Sequence, residues 1–158
     1  MKLELLKGFS FGITSAIITT LGIIVGLNAT THSKIVIIGG IISIAIADAF
    51  SDAIGLHIAE ESQIKKTKKE IWLPSITAFI TKFVFALIFI FPIIIFQNST
   101  AIIISLIWGL TLLAIFSYYL AIKQKIQPWK VIVEHLLIAI IVIFITHQVG
   151  QWIANSFI

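Results

Sequence analysis

Five long apolar stretches run along the chain, each separated from the next by a short polar or charged link. They cover about residues 8–27, 35–59, 72–96, 101–122 and 131–154. An α-helix needs about 20 residues to cross the roughly 30 Å hydrocarbon core of a bilayer, and each stretch reaches that length. The pattern predicts an all-α fold, an integral membrane bundle of five transmembrane helices that forms a single domain over residues 1–158.

The lysines of the links indicate on which side of the membrane each link lies, because positive charges accumulate in cytoplasmic loops. The short links require antiparallel neighbours, which puts nine lysines on the side of the amino terminus and only Lys34 on the other. The nine are Lys2, Lys7, Lys65, Lys66, Lys68, Lys69, Lys123, Lys125 and Lys130. We predict a cytoplasmic amino terminus, which begins a span and is not a removable signal peptide, and a carboxyl terminus outside.

The composition agrees with a membrane protein and narrows its chemistry. Charged residues make up 11% of the chain and hydrophobic residues 59%, whereas soluble domains carry about 25% charged residues. Cysteine is absent, so disulfides and thiolate ligands are excluded, and any metal site must use oxygen or imidazole. Abundant isoleucine and lysine without arginine favour a prokaryotic protein, and hence a plasma membrane.

Motifs for enzymatic chemistry are missing from the sequence. It contains no catalytic triad pattern, no phosphate-binding glycine loop and no metalloprotease motif. The lysines lie between apolar stretches and form no nucleic-acid-binding face. A transporter or a noncatalytic scaffold, without a permanently bound cofactor, is therefore favoured over an enzyme.

Small residues at helical spacing mark the first two spans. In lipid, small residues four positions apart allow two helix backbones to approach closely. They are Gly8, Gly12, Gly22 and Gly26 on the first span, and Gly39, Gly40, Ser43 and Ala47 on the second. Two interpretations follow: packing within one bundle, or a homodimer with its seam on the first span.

Three charged residues fall deep inside the apolar stretches, where charges are costly and usually functional or paired. Asp48 and Asp52 are one helical turn apart and project to one face of the second span, roughly 17 and 10 Å deep, respectively. Lys82 of the third span lies about 15 Å deep from the same side. The cluster is either a cation or proton site in which Lys82 competes for the carboxylates, or a structural ion pair. A lipid-facing location is a third possibility.

Other titratable groups lie near the predicted cytoplasmic ends of the spans. His57, Glu60 and Glu61 end the second span, and Glu134 and His135 begin the fifth. Carboxylates with imidazole suit Fe(II), Mn(II) or Zn(II), although interfacial residues of these types often contact only water or lipid headgroups. His147, deeper in the fifth span, is either a proton carrier or a hydrogen-bonded structural histidine.

Three segments of the chain match motifs of a known family. The second span contains AFSDAIG at 49–55 and ESQ at 61–63, which are similar to an Ala-x-Ser-Met-x-x-Gly-Glu-Tyr pattern that ends in Ser-Gln. The third span has Pro74 near its start and Pro92 near its end, and a helix of the family also starts and ends near prolines. Residues 119–123, Pro128, 134–138 and 146–150 are similar to a last loop and span. In their order, these segments resemble the vacuolar iron transporter family.

The resemblance implies a dimer of five-span protomers that moves Fe(II) or Mn(II) out of the cytoplasm. Three ligand positions of the family correspond here to Phe11, Asp52 and Leu56, and the glutamate-rich cytoplasmic helices of the iron transporters are missing. Our hypothesis is a proton-coupled divalent-metal exporter whose site is rebuilt by Asp48 and Asp52. The expected guides for the metal are His57, Glu60, Glu61 and Glu134, while Lys82 and His147 are the expected residues for charge and proton coupling.

Two alternatives to metal transport stay open. One is a noncatalytic dimeric membrane scaffold that keeps the fold and uses the Asp-Lys cluster as a structural ion pair. The other is a carrier of an organic solute or lipid, which the apolar bundle has room to hold. The lipid bilayer is a partner under all three hypotheses, whereas the metal ion and protons are partners only of a metal transporter.

Overall fold

All regular structure in the described part of the chain is helical. The computed structural model describes the backbone of residues 2–157 and their side chains except those at positions 2 and 98. The helices are α1 (Lys2–Thr31), α2 (Lys34–Glu61), α3 (Lys68–Ile88), α4 (Ile90–Ile95), α5 (Asn98–Gln124) and α6 (Pro128–Phe157). Helices α3 and α4 follow each other directly, so five helical segments are long and apolar enough to cross a membrane. This confirms the predicted all-α, five-span bundle.

The links between helices are tight turns, as their length requires. His32, Lys65 and Lys125 lie in the links with φ angles of 51°, 73° and 57°. At His32 and Lys125, which directly follow α1 and α5, this left-handed conformation ends the helix. The first turn of α3 is closed by a capping box, in which the Thr67 backbone N–H donates to Glu70 Oε2 at 2.9 Å. A capping box satisfies amide groups that have no partner inside the helix, and it therefore fixes where α3 begins.

A proline separates α4 from α3. Proline has no backbone N–H, and its ring collides with the carbonyl of the residue four positions earlier. For Pro92 that residue is Ile88, at which α3 ends. Phe89 then forms the junction and is fully buried. The third span is therefore interrupted within the membrane, as the proline position in the sequence allows.

Helix α1 is the centre of the bundle and contacts α2, α3, α5 and α6. Its first two glycines face α3: a Cβ atom on Gly8 would lie 2.2 Å from the Pro74 carbonyl oxygen, and one on Gly12 would lie 2.7 Å from that of Ala78. Close backbone approach of this kind needs glycine. α1 and α3 run parallel, because both contacts advance along the two helices together.

The other two glycines of α1 face α6. Gly22 lies against Val142 and Thr146, and a Cβ atom on Gly150 would lie 2.4 Å from the Gly26 carbonyl oxygen. The surfaces on which a dimer seam was predicted are thus covered by helices of the same chain. These four glycines pack within one bundle, and a seam through them is wrong. Dimerisation itself stays a prediction.

The outward faces of the helices are as apolar as the core. Ile17, Leu21 and Leu113 are fully buried, whereas Ile107 and Phe144 are more than half exposed. Lipid is the solvent for these outer faces, so hydrophobicity does not separate inside from outside as it does in a soluble helix.

Candidate ion site

The ammonium group of Lys82 joins three helices inside the bundle. Its Nζ atom on α3 lies 2.5 Å from a carboxylate oxygen of Asp48 and 2.5 Å from one of Asp52, both on α2. It also donates to Ser15 Oγ of α1 at 2.8 Å, and Ser15 donates to Asp52 Oδ2 at 2.7 Å. Lys82 is only 1% exposed. The predicted juxtaposition of Lys82 with both aspartates is therefore present, with Ser15 added.

The local sequence explains why these groups meet. Aspartates four positions apart on α2 stand one above the other. Gly12 lies one turn before Ser15 and brings the α1 backbone against Ala78 and Thr81 of α3. That close approach allows the short serine side chain to reach the lysine.

The electrostatics of the cluster are asymmetric. A lysine ammonium has three N–H donors, and here each has an acceptor: Asp48, Asp52 and Ser15. The carboxylates are less occupied, because all of their described contacts are made through Oδ2. Their side chains are 32% and 23% exposed. With all three groups ionised, two negative charges oppose one positive charge, and one negative charge remains uncompensated at membrane depth.

Glu60 belongs to a second ionic cluster, nearer the end of α2. It is 2% exposed and accepts from Lys7 Nζ of α1 at 2.8 Å and from Lys66 of the α2–α3 link. Lys66 also lies 3.8 Å from Glu4. We predicted that Glu60 guides a metal, but its carboxylate is occupied by two lysines, since this end of α2 packs against the basic start of α1. In this structure Glu60 holds the α2–α3 link against α1 through its ion pairs with Lys66 and Lys7.

His57 lies in a groove between α2 and α3, away from the carboxylates. Its ring is 4.2 Å from that of Trp72, centroid to centroid. The groove has a volume of about 360 Å³ and is otherwise largely apolar. Nδ1 of His57 is buried without a hydrogen-bond partner. The apolar walls make this position a poor path for a charged ion.

The remaining predicted site residues lie on the surface. Glu61, Glu134 and His147 are exposed and stand apart from the Lys82 cluster. Within the described residues, no three histidine, aspartate or glutamate side chains lie close enough together to hold a metal ion. Of the predicted ligands, only Asp48 and Asp52 come together, so a metal bound there would need further oxygen ligands such as the Ser15 hydroxyl.

Two polar contacts were missed in the sequence. Ser15 was overlooked because a serine in a span ordinarily bonds to its own helix. Only its position three residues after Gly12 indicates that it could contact a neighbouring helix. His135 was grouped with Glu134 as a residue that suits a metal ion near the end of the fifth span, yet its Nδ1 lies 2.8 Å from the buried Ser117 Oγ of α5. Helical wheels of α5 and α6 could have paired Ser117 with His135 only if these two helices had been known to pack together.

The chain was compared with known proteins. Neither the profiles of known protein families nor a search of functionally described proteins gives a match. The resemblance to vacuolar iron transporters therefore remains a prediction from the motifs, and the structure itself assigns the chain to the all-α membrane proteins with five spanning helices.

Proposed function

We propose that this protein is a secondary transporter that exchanges a divalent cation for protons across its membrane. Asp48 and Asp52 bind the cation or the proton, and Lys82 is the internal counter-charge that holds the two carboxylates when neither is bound. The transported ion leaves the cytoplasm under the predicted orientation. Glu61, Glu134 and His147 are exposed and stand apart from the cluster. They have no part in this mechanism, although Glu61 and Glu134 were expected to guide the metal and His147 to carry protons.

The observation that carries this proposal is that two carboxylates, those of Asp48 and Asp52, share the single ammonium group of Lys82. A structural ion pair is most stable when its charges balance, because a bare charge in a low-dielectric environment is costly. Two carboxylates on one ammonium leave a site that favours one additional positive charge, either a proton or a metal ion. The partial exposure of both carboxylates gives that charge a way in.

The ion class follows from the ligand atoms. Carboxylate and hydroxyl oxygens suit hard cations, and Mn(II) and Fe(II) accept such ligands. The resemblance to vacuolar iron transporters supports the same two metals. They are therefore the first substrates to test.

The scaffold hypothesis has one specific observation in its favour. Lys82 is fully buried and all three of its donors are used, which is the arrangement expected of a residue that only pins helices together. This hypothesis predicts no flux of any cation, and it leaves the extra carboxylate without a role.

A flux assay separates the two hypotheses. Purified protein is reconstituted into liposomes that contain a metal-sensitive dye, and Mn(II) or Fe(II) uptake is recorded under an imposed proton gradient. We expect wild-type uptake, and a fall of at least about tenfold in Asp48→Asn/Asp52→Asn, because both charged ligands are lost. Glu61→Gln is the matched control, since Glu61 is an exposed carboxylate on the same helix.

Folded wild-type protein that moves neither metal under any proton gradient would contradict the transporter proposal. Uptake that survives in the double variant would place the ion elsewhere in the molecule. Size-exclusion profiles and thermal unfolding of each variant show whether it is folded.

A further inference from the structure

The outer surface of the bundle is concave where α2 and α3 run side by side. Two pairs of rings bracket this α2–α3 groove: Phe50 with Phe79, and His57 with Trp72, whose ring centroids are 4.6 and 4.2 Å apart. The α2 residues that line the groove run from Phe50 to His57, so it is about 10 Å long at about 1.5 Å per residue.

The walls of the groove suit a hydrocarbon chain. Its smallest lining residues are Ala53 and Ser75, and the larger Ile54 and Ile76 beside them are about half exposed. Ser75 is buried, and its hydroxyl donates to the Ile71 carbonyl oxygen at 3.1 Å. The groove therefore offers depth and apolar contact but no free hydroxyl donor, which favours an apolar occupant.

Lysines gather at the end of the groove that lies toward the α2–α3 link. The link and the first turn of α3 contain four of them, Lys65, Lys66, Lys68 and Lys69. Lys66 is paired with Glu60, whereas the other three have no ion-pair partner among the described residues. Lys68 is four positions before Trp72, so it stands on the side of α3 that carries the groove.

Two carboxylates at the same end leave the balance of charge positive. Glu70 accepts from Thr67 in the capping box of α3, and Glu61 is exposed one turn after His57. Three unpaired lysines thus oppose two carboxylates. A lysine cluster directly beyond a spanning helix attracts anionic lipid headgroups, and tryptophan prefers the same membrane–water boundary. Trp72 and the lysines therefore indicate where a headgroup lies.

We propose that the α2–α3 groove binds one acyl chain of an anionic phospholipid, whose phosphate group pairs with Lys68 and the neighbouring unpaired lysines. The two halves of the site fit one molecule, because a phospholipid joins a hydrocarbon chain to a charged group at the membrane boundary. The bound lipid holds α2 against α3. This site goes beyond the proposed transport and requires no ion flux.

The charges favour a lipid over a second copy of the chain as the occupant. Symmetric dimers usually bring the same surface of both subunits together. Two α2–α3 grooves that met in this way would bring two lysine clusters together, and like charges across an interface are costly. An anionic lipid neutralises the same lysines.

Tryptophan quenching by brominated lipids measures occupancy of the groove directly. The reporter variant keeps Trp72 and replaces the other three tryptophans, Trp108, Trp129 and Trp152, by phenylalanine. It is reconstituted into phosphatidylcholine liposomes in which part of the lipid is brominated phosphatidylglycerol or brominated phosphatidylcholine. We expect an apparent affinity at least about fivefold higher for the phosphatidylglycerol, the ratio that one net lysine charge near the surface supplies.

A second reporter that keeps only Trp108 controls for general contact with lipid. Trp108 is 48% exposed, close to the 54% of Trp72, and lines a different apolar groove whose lining residues include no lysine. We expect the two brominated lipids to quench Trp108 with affinities within about twofold of each other, because charge supplies the preference at Trp72.

Lysine substitutions test the headgroup half of the site. In the Trp72 reporter, Lys65→Gln/Lys68→Gln should reduce the preference to less than about twofold. Lys125→Gln/Lys130→Gln is the matched control, which should keep the preference. Lys125 has a positive φ angle in its link, as Lys65 does, and Lys130 lies in the first turn of α6. Both variants lose the same charge, so a general attraction to anionic bilayers would fall equally in each.

A larger side chain in the groove tests the acyl-chain half. Ala53→Phe should weaken quenching of Trp72 by both lipids at least about twofold, because the ring takes the place of the chain. Ala59→Phe, at an exposed position of α2 outside the groove lining, should quench as the parent reporter does. Size-exclusion profiles and circular dichroism show which variants are folded, and the lysine pair still decides the question if Ala53→Phe is not.

The outcomes separate this inference from the proposed function. Equal affinities of the two lipids at Trp72, or a preference that survives Lys65→Gln/Lys68→Gln, would overturn the anionic-lipid site. Quenching by neither lipid in folded protein would also overturn it, and would point to another occupant such as a second copy. A preference that follows the lysines supports the site even if the protein moves no Mn(II) or Fe(II), since no metal or proton gradient is present.

Discussion

At the scale of single residues, Lys82 determines how this chain tolerates two aspartates inside its spans. Its ammonium group donates to both carboxylates and to Ser15, so its removal leaves two acidic groups without their common partner. Breaking a buried ion pair costs about 3–5 kcal/mol, mostly because a charge is left unpaired. The aspartates are 32% and 23% exposed, which moves the expected cost toward the lower end of that range.

We predict that Lys82→Met lowers the free energy of unfolding by about 3 kcal/mol at neutral pH. Acidification should reverse the loss, because protonated carboxyl groups need no counter-charge, and so should Mn(II), because a ligand that binds only the folded state stabilises it. Thermal unfolding in detergent, measured with and without Mn(II), gives the result. Stabilisation of the variant by acid alone would favour the structural ion pair over a metal site. The triple variant Lys82→Met/Asp48→Asn/Asp52→Asn should respond to neither condition.

At the scale of helices, glycine positions determine how closely α1 packs against its neighbours. The spacing of four indicated close helix contacts correctly, but did not reveal which helix would be the partner. Gly8 and Gly12 meet α3, whereas Gly22 and Gly26 meet α6. Gly39 and Gly55 of α2 are also glycines, but a Cβ atom added to either would have no atom of another side chain or helix within 4 Å. Only the packed structure separates the two groups.

This difference gives a paired prediction for alanine substitutions. Gly8→Ala places a methyl group 2.2 Å from the Pro74 carbonyl oxygen, and overpacking of this kind should cost about 1–3 kcal/mol. Gly39→Ala meets nothing within the chain and should be neutral or stabilising by up to about 1 kcal/mol, because alanine favours helix. Melting temperatures of the two variants in the same detergent provide the comparison. A Gly8→Ala variant as stable as Gly39→Ala would show that the α1–α3 contact is looser than described.

At the scale of the whole molecule, the arrangement of lysines predicts an orientation in the membrane that helix packing alone does not. Lys7 and Lys66 lie at the same end of the bundle, joined through Glu60. We predict that this end, which carries the second ionic cluster, faces the cytoplasm.

The orientation can be tested with cysteines in the otherwise cysteine-free chain. We predict that Gln63→Cys, in the α2–α3 link, reacts with a membrane-impermeant thiol reagent only after cells are opened. Asn155→Cys, near the end of α6, should react in intact cells, because an odd number of spans puts it on the opposite side. The reversed labelling pattern would contradict the lysine-based assignment.

The amino-acid sequence alone was enough to predict the fold class, the five spanning segments and the meeting of Asp48 and Asp52 with Lys82. These features depend on chain-local quantities: apolar length, residue spacing along a helix, and the rise per residue. Because each is a property of one segment, no knowledge of the neighbouring helices was needed. The pairing of Lys82 with the two aspartates followed from their matching positions on adjacent spans.

Which faces of the helices meet could be seen only once the helices were packed together. The packing covers the glycines of α1 with α3 and α6, pairs Glu60 with two lysines, and brings Ser15 to Lys82 and Asp52. The physical reason is that lipid and protein interior are equally apolar, so the hydrophobic pattern carries no signal for the rotation of each helix about its axis. That rotation is set by steric fit and by a few polar contacts between residues far apart in the chain, such as Ser15 with Asp52.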